Sequence, residues 1–391
     1  MTENDIYIIG SGHTPFGHLD QSLEELIVAA AREAVAEAEI DSGDIDAVCL
    51  GHFNSGLVPD GFASSLILQA FPKLRFKPAT RHENACASGA AAIHGGLNLI
   101  RAGAARHVLV VGVEKMTHRT TEEVTRALAG AGYQNDAAEA RLSFPQVFAL
   151  AAEDYAARYG NPRDTMARIA LKNHANAMRN PLAHMRKPMT LEFCREVSEK
   201  NPLIAPPLRL TDCSLVTDGA AAVVLASADA AASAAQRARI ATAVHISDFL
   251  PMSRKDFVAF EGPERAIAEA YRTARIGPRE LDFAEVHDCF TIAELMIYEA
   301  MGLTQKGQGA RAIEDGTVMP EGRTPINLSG GLKAKGHPVG ATGVSMHALA
   351  FRQLTGRAGG MQRAGATWGL IFNMGGAAVA NYATILQADR A

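Results

Sequence analysis

Two periodicities alternate along the chain. Leu23, Leu26, Ile27, Ala30 and Ala34 recur at three- and four-residue spacing, which predicts an amphipathic helix over residues 22–39. Ile45 to Leu50 then reads as a buried strand, residues 88–102 as a second helix, and Val108 to Val113 as an apolar run suited to a sheet covered on both faces. From about 115 to 216 the chain is more polar, with helices predicted over 145–160 and 163–179 and a Pro-rich stretch over 201–207, and it reads as an inserted subdomain. Strands over 219–226 and 239–248, an Ala-rich segment over 228–237, a helix over 291–301 and strands over 366–372 and 377–386 follow. Alternating strand and helix periods predict an α/β protein.

The second half repeats the first. Ile40, Asp44, Ile45 and Asp46 recur 236 positions later as Ile276, Glu280, Leu281 and Asp282, each time after a helix and ahead of a strand. A duplicated chain can build a site at the seam from both copies.

Composition narrows the class. The 391 residues are 48% hydrophobic and 20% charged, and 38 Lys plus Arg against 42 Asp plus Glu leave a formal charge of -4 with no basic block. A nucleic-acid surface is disfavoured. No apolar run reaches the roughly 18 to 20 residues of a membrane span, and the acidic start, Met1 to Asp5, does not read as a leader. The last residues, Asp389-Arg390-Ala391, are not a peroxisomal address. Five scattered cysteines without a CxxC pair predict reduced thiols and a cytoplasmic protein.

Four segments carry chemistry. In Asn84-Ala85-Cys86-Ala87-Ser88-Gly89, Cys86 precedes a helix, where N–H groups and the helix dipole favour thiolate; a buried structural cysteine also fits this segment. The stretch from Asn327 to Gly343 holds five glycines from Gly330 onward, read as room for a ligand, and His337 before Pro338, placed as a general base; a phosphate loop is the other reading, without Walker or GxGxxG spacing. Glu285-Val286-His287-Asp288-Cys289-Phe290 sits at a strand's carboxyl end, where α/β sheets place sites. Asn373-Met374-Gly375-Gly376 breaks two strands, as a turn or as a backbone N–H facing a reacting oxygen. A zinc site from these cysteines and histidines lacks close ligand pairs.

Together these segments resemble the thiolase family, which makes or cleaves 3-ketoacyl-CoA thioesters. Residues 84–89 match its nucleophile motif and 330–343 its GHPxGATG motif, and the resemblance runs along essentially the whole chain. His287-Asp288-Cys289-Phe290 stands where many thiolases have Asn-Glu-Ala-Phe, and HDCF marks the sterol-carrier-protein-type and archaeal-like branch. The family's second cysteine, in a CxG motif, is replaced here by Asn373.

The resemblance implies a thiolase fold: two duplicated βαβαβαββ domains, each with a five-stranded sheet, in a five-layered α-β-α-β-α arrangement. The domains are expected over 1–235 and 236–391, with a loop domain over about 115–216 that covers CoA. It implies Cys86 as nucleophile, His337 as its base, Cys289 as the acid/base thiol, His287 positioning a water, Gly375 supplying an oxyanion N–H with Cys86, and Ser214 contacting pantetheine. Coenzyme A and acyl-CoA are then substrates, with no permanently bound cofactor. A homodimer or homotetramer is implied, with the short strand before the nucleophile paired across the dimer. Phe148 and Met296 are candidates for the acyl pocket. His82, His94 and His347 read as structural, and Cys49, Cys194 and Cys213 as packing residues, with Cys213, next to Ser214, also a candidate for lining the CoA channel. Two other classes share the fold: an aldolase or lyase, which typically loses the nucleophilic cysteine, and a non-catalytic CoA-binding subunit, since archaeal-like thiolases assemble with a small OB-fold partner.

Overall fold

A computed structural model describes residues 5–389. The readings made on Met1 to Asn4 and on Arg390-Ala391 lie outside that range. The strands are β1 (Ile6–His13), β2 (Ala47–Gly51), β3 (Ala79–His82), β4 (His107–Glu114), β5 (Leu203–Ala205), β6 (Leu208–Arg209), β7 (Gly219–Ser227), β8 (Ala238–Ser247), β9 (Phe283–Val286), β10 (Trp368–Gly375) and β11 (Ala380–Ala388). The helices are α1 (Leu23–Ala38), α2 (Ser88–Arg101), α3 (Thr121–Ala129), α4 (Phe144–Tyr159), α5 (Arg163–Ala177), α6 (Leu191–Arg195), α7 (Glu261–Ala274), α8 (Thr291–Ala300), α9 (Ala310–Glu314) and α10 (Val339–Leu354).

Local chemistry explains the elements that frame the site. Ser22 and Glu25 form a reciprocal capping box that starts α1, and the apolar stripe read from the sequence is its buried face. Valines fill β4, buried from Val108 to Val113. The repeat is structural. Asp46 Oδ2 accepts the N–H groups of Arg106 and His107 where β4 begins, and Asp282 Oδ2 accepts those of Thr367 and Trp368 where β10 begins. The helices before the two aspartates both end on a left-handed residue, Glu39 at φ 53° and Arg275 at φ 58°.

Nine of the eleven strands form one sheet in the order β3-β2-β4-β7-β1-β8-β11-β10-β9, and β5 and β6 pair separately. The first half supplies the five strands expected of it, and the sheet continues into the second half. The halves join where Tyr7 and Ile8 of β1 pair with Arg239 and Ala238 of β8, and the second half has four strands plus a single parallel bridge from Ala284 to Ile326. The layering is as expected. Helix α10 packs against β4, β7 and β1 on one side and β9, β10 and β11 on the other, with α2 beside it; α1 and α7 cover the outer faces of the two halves. No described helix is long and apolar enough to cross a membrane.

Gly340 and Gly343 of the His337 segment do a different job from the one read in the sequence. A Cβ at Gly343 would lie 2.3 Å from Ala90 N, and one at Gly340 would lie 2.4 Å from Val113 O. They let α10 lie against α2 and β4, and neither lines the cavity described below. Close backbone approach here serves helix packing rather than ligand entry.

Candidate active site

Cys86 is set by a strained turn. Ala85, just before it, has φ 50°, a left-handed value that costs a non-glycine residue on the order of 1 kcal/mol. Ser88 holds the turn, its Oγ donating to Ala85 O at 2.6 Å and accepting from Asn84 N at 2.9 Å, and Glu83 accepts Ala85 N–H. The thiol is thereby turned into a cavity of about 350 Å³.

That cavity brings together residues from both halves. Cys86, Ser214, His287, Cys289 and His337 line it, and Val124, Leu128, Phe144, Phe148 and Phe290 supply much of its apolar wall. Phe148 stacks on Phe290 at 4.6 Å between ring centroids. Met296 is core rather than wall. Cys213 also lines the cavity, whereas Cys49, Cys194, His82, His94 and His347 do not. Gly376 is part of the lining, and its amide and that of Cys86 favour the Cys86 thiolate; Gly375 pairs with Ala380 at the end of β10.

The two histidines meet edge to face, 5.1 Å between centroids. His337 Nδ1 lies 2.7 Å from Thr342 Oγ1, which itself donates to Pro338 O at 3.0 Å. With the hydroxyl proton so used, Thr342 accepts from Nδ1–H and the lone pair of His337 sits on Nε2, which has no protein partner. Donor atoms of Cys86, His287 and His337 lie within 4.8 Å of one another. Cys289 stands outside that group, so these residues do not form a closed four-donor set of the structural zinc type.

Electrostatics corrects one expectation. Burial pushes the Cys86 thiol up to about 12, outweighing the Gly376 and Cys86 amides that favour thiolate; Glu114 adds to the rise. Cys86 rests protonated and needs a base. Burial, with Lys335 nearby, lowers His337 to about 3, so the ring is neutral and free to act as one. Burial likewise pushes Cys289 well above the usual thiol range, with Cys86 and Asp288 as further causes.

Behind the cavity lies a buried polar network that sequence reasoning missed. Asp288, between His287 and Cys289, accepts Leu332 N–H at 2.6 Å and Lys333 N–H at 3.2 Å, which ties the HDCF segment to the turn leading into His337. Asn173 donates to both Asp288 and Glu294, and Lys172 pairs with Glu294 at 2.7 Å. Burial and then Glu294 raise Asp288 to about 7. Glu114 performs a similar task across the halves, accepting the N–H groups of Phe53, Asn54 and Gly340, each at 3.0 Å. Ser214 is tied in through its N–H, which donates to Cys289 O at 2.9 Å.

Comparison with known proteins agrees with this architecture. The family model "Thiolase, N-terminal domain" matches residues 6–229, and "Thiolase C-terminal domain-like" matches 243–388. An acetyl-CoA acetyltransferase of Methanothermobacter thermautotrophicus is 37% identical over 381 residues, 95% of this chain and 96% of that protein. Among solved structures, a chain of an Ltp2-ChsH2(DUF35) aldolase aligns with a TM-score of 0.82 at 23% identity, covering 100% of this chain and 99% of that one. Human mitochondrial 3-ketoacyl-CoA thiolase in complex with CoA aligns with a TM-score of 0.76 at 20% identity, over 99% of this chain and 98% of that one. At these identities the structural likeness is one of fold, and the sequence matches carry the assignment. The chain belongs to the thiolase family.

Proposed function

We propose that the protein is an acetyl-CoA acyltransferase that forms or thiolytically cleaves a 3-ketoacyl-CoA through an acyl group carried on Cys86. The observation that carries this reading is one cavity holding two thiols and a neutral imidazole with an open lone pair. The acetyl-CoA acetyltransferase similar to it along nearly its whole length supports the same activity.

In the synthetic direction His337 Nε2 takes the Cys86 proton as sulfur attacks an acetyl thioester. The oxyanion is held by the amide of Cys86 and one from the Gly375-Gly376 pair. Collapse expels CoA thiolate, which takes the proton of Cys289. The Cys289 thiolate then removes a methyl proton from a second acetyl-CoA. The enolate oxygen is held by His337, now an imidazolium, and by His287 through a water it positions. The enolate carbon attacks the acyl group, and Cys86 leaves as thiolate to recover its proton from His337. Protons balance over the cycle, and thiolysis is the reverse. Ser214 is read as the pantetheine contact, and residues 115–216 as the cover over CoA, within domains 1–235 and 236–391.

Intact-protein mass spectrometry after mixing with acetyl-CoA tests this. One acetyl group on Cys86, discharged by CoA, is expected together with ping-pong kinetics; absence of any adduct refutes the reading. The aldolase alternative predicts carbon–carbon cleavage without an adduct, and retention of Cys86 argues against it, as the assembled site argues against a non-catalytic subunit. The structural neighbour described with a DUF35 chain supports testing a small OB-fold partner by co-expression. Five free cysteines support a reducing compartment such as the cytoplasm, and CoA enters as a substrate.

We also read the protein as a homo-oligomer. Strand β3 is an exposed sheet edge, and Phe76 just before it and Phe62 earlier in the same connection from β2 are 89% and 92% exposed. Light scattering is expected to show a dimer or tetramer, shifted toward monomer by Phe62→Ser with Phe76→Ser. A monomeric wild type refutes this.

A further inference from the structure

Asn373 occupies the place of the family's missing thiol, and its side chain is fully buried on β10. Its Nδ2 donates to Cys86 O at 3.2 Å and to His287 Nδ1 at 2.8 Å. Its Oδ1 has no partner and faces α10, where a Cβ at Gly343 would lie 2.6 Å from it. The opposite amide orientation sets two acceptors, Oδ1 and Cys86 O, against each other and leaves both N–H groups facing a glycine. Cys86 O is a backbone carbonyl and only accepts, so it fixes which way the amide points. His287 Nδ1 must then accept as well, and a neutral ring carries its proton on Nε2.

We propose that Asn373 is a positioning residue: by donating at once to Cys86 O and His287 Nδ1, it sets the His287 tautomer that presents Nε2–H to the cavity. The two histidines then hold opposite tautomers. His337 offers a lone pair and works as a base, whereas His287 offers a donor and stabilises developing negative charge. Burial and the neighbouring His337 hold His287 neutral, consistent with this division. A thiol at 373 has one proton and cannot serve both acceptors, so Asn373 does something the cysteine of other thiolases cannot. Its kinetic consequence rests on the thiolase reading; the tautomer itself does not.

The test uses Asn373→Asp and Asn373→Leu in the full-length protein. A carboxylate at 373 accepts from His287 Nδ1–H and repels Cys86 O, while leucine leaves the ring without a partner. Long-range proton–nitrogen NMR of 15N-histidine protein, with the His287 signals identified by their loss in His287→Gln, reads the tautomer directly. Wild type is expected to show Nδ1 unprotonated and Nε2 protonated, and Asn373→Asp to show a protonated Nδ1. In kinetics, Asn373→Asp is expected to lose on the order of 100-fold in kcat, the scale of one lost oxyanion donor, with KM within about twofold and the Cys86 acylation burst retained. Exchange of the acetyl-CoA methyl protons falls in parallel with kcat. Asn373→Leu, which introduces no charge, is expected to lose about tenfold and keeps the test alive if the aspartate variant does not fold. A His287 proton on Nδ1 in wild type, or a folded Asn373→Asp with kcat within about threefold of wild type, overturns the proposal. The NMR pattern decides the tautomer whether or not the wild type takes up acetyl, so failure of the thiolase reading and failure of this assignment are separate results.

Discussion

Cys86→Ala is expected to take up no acetyl group from acetyl-CoA and to lose roughly 10⁴-fold or more in kcat. The size of the effect follows from the lack of a substitute. The other thiols on the cavity wall are Cys213 and Cys289. Cys213 is pushed up to about 12 by burial, and its thiol donates to Arg209 O. Cys289 lies well above the usual range and stands outside the cluster of donor atoms around His337. Ser214 offers a hydroxyl, a much weaker nucleophile with no base placed for it. Of the three thiols, Cys86 is the one whose sulfur lies in the donor-atom cluster with His337. Peptide mapping of the acetylated protein checks this, and an adduct surviving in Cys86→Ala on another residue reassigns the nucleophile.

Cys289→Ala is expected to separate the two halves of the reaction. Its first half loses only a proton donor for the departing CoA thiolate, a good leaving group, so acetylation of Cys86 persists within about tenfold of wild type. Its second half loses the base for the methyl proton, and general bases of this kind contribute about 10²–10⁴-fold. Exchange of deuterium into the methyl group of acetyl-CoA, followed by mass spectrometry, is expected to fall to background while the burst of CoA release remains. Persistent exchange removes Cys289 from the role of base, and loss of the burst makes it part of the first half as well.

The α/β class was legible because both periods are strong where burial is two-sided, as in β4 and α1. The duplication was legible through Asp46 and Asp282 because each satisfies the same two backbone N–H groups at the start of the same strand, a demand that recurs with the fold. That Cys86, His287, Cys289 and His337 belong to one cavity was legible because their motifs are contiguous. Gly375 and Gly376 are neighbours, and only the backbone path past β10 decides which of them lines the cavity. The glycines of 330–343 misled because close approach to another helix and close approach to a ligand have one sequence signature. Asn373 was visible only as an absent thiol, since its two acceptors lie 287 and 86 residues away. The resting state of Cys86 was also hidden, because a position at a helix start is local while the burial that overrides it comes from the assembled halves.

The middle layer has one more consequence. Helix α10 is buried along almost its entire length, touches strands of both repeats and carries the turn that presents His337. Neither repeat can melt while the other stays intact, since losing either one exposes the apolar flank of α10 to water. The two repeats are thereby expected to unfold as a single cooperative unit.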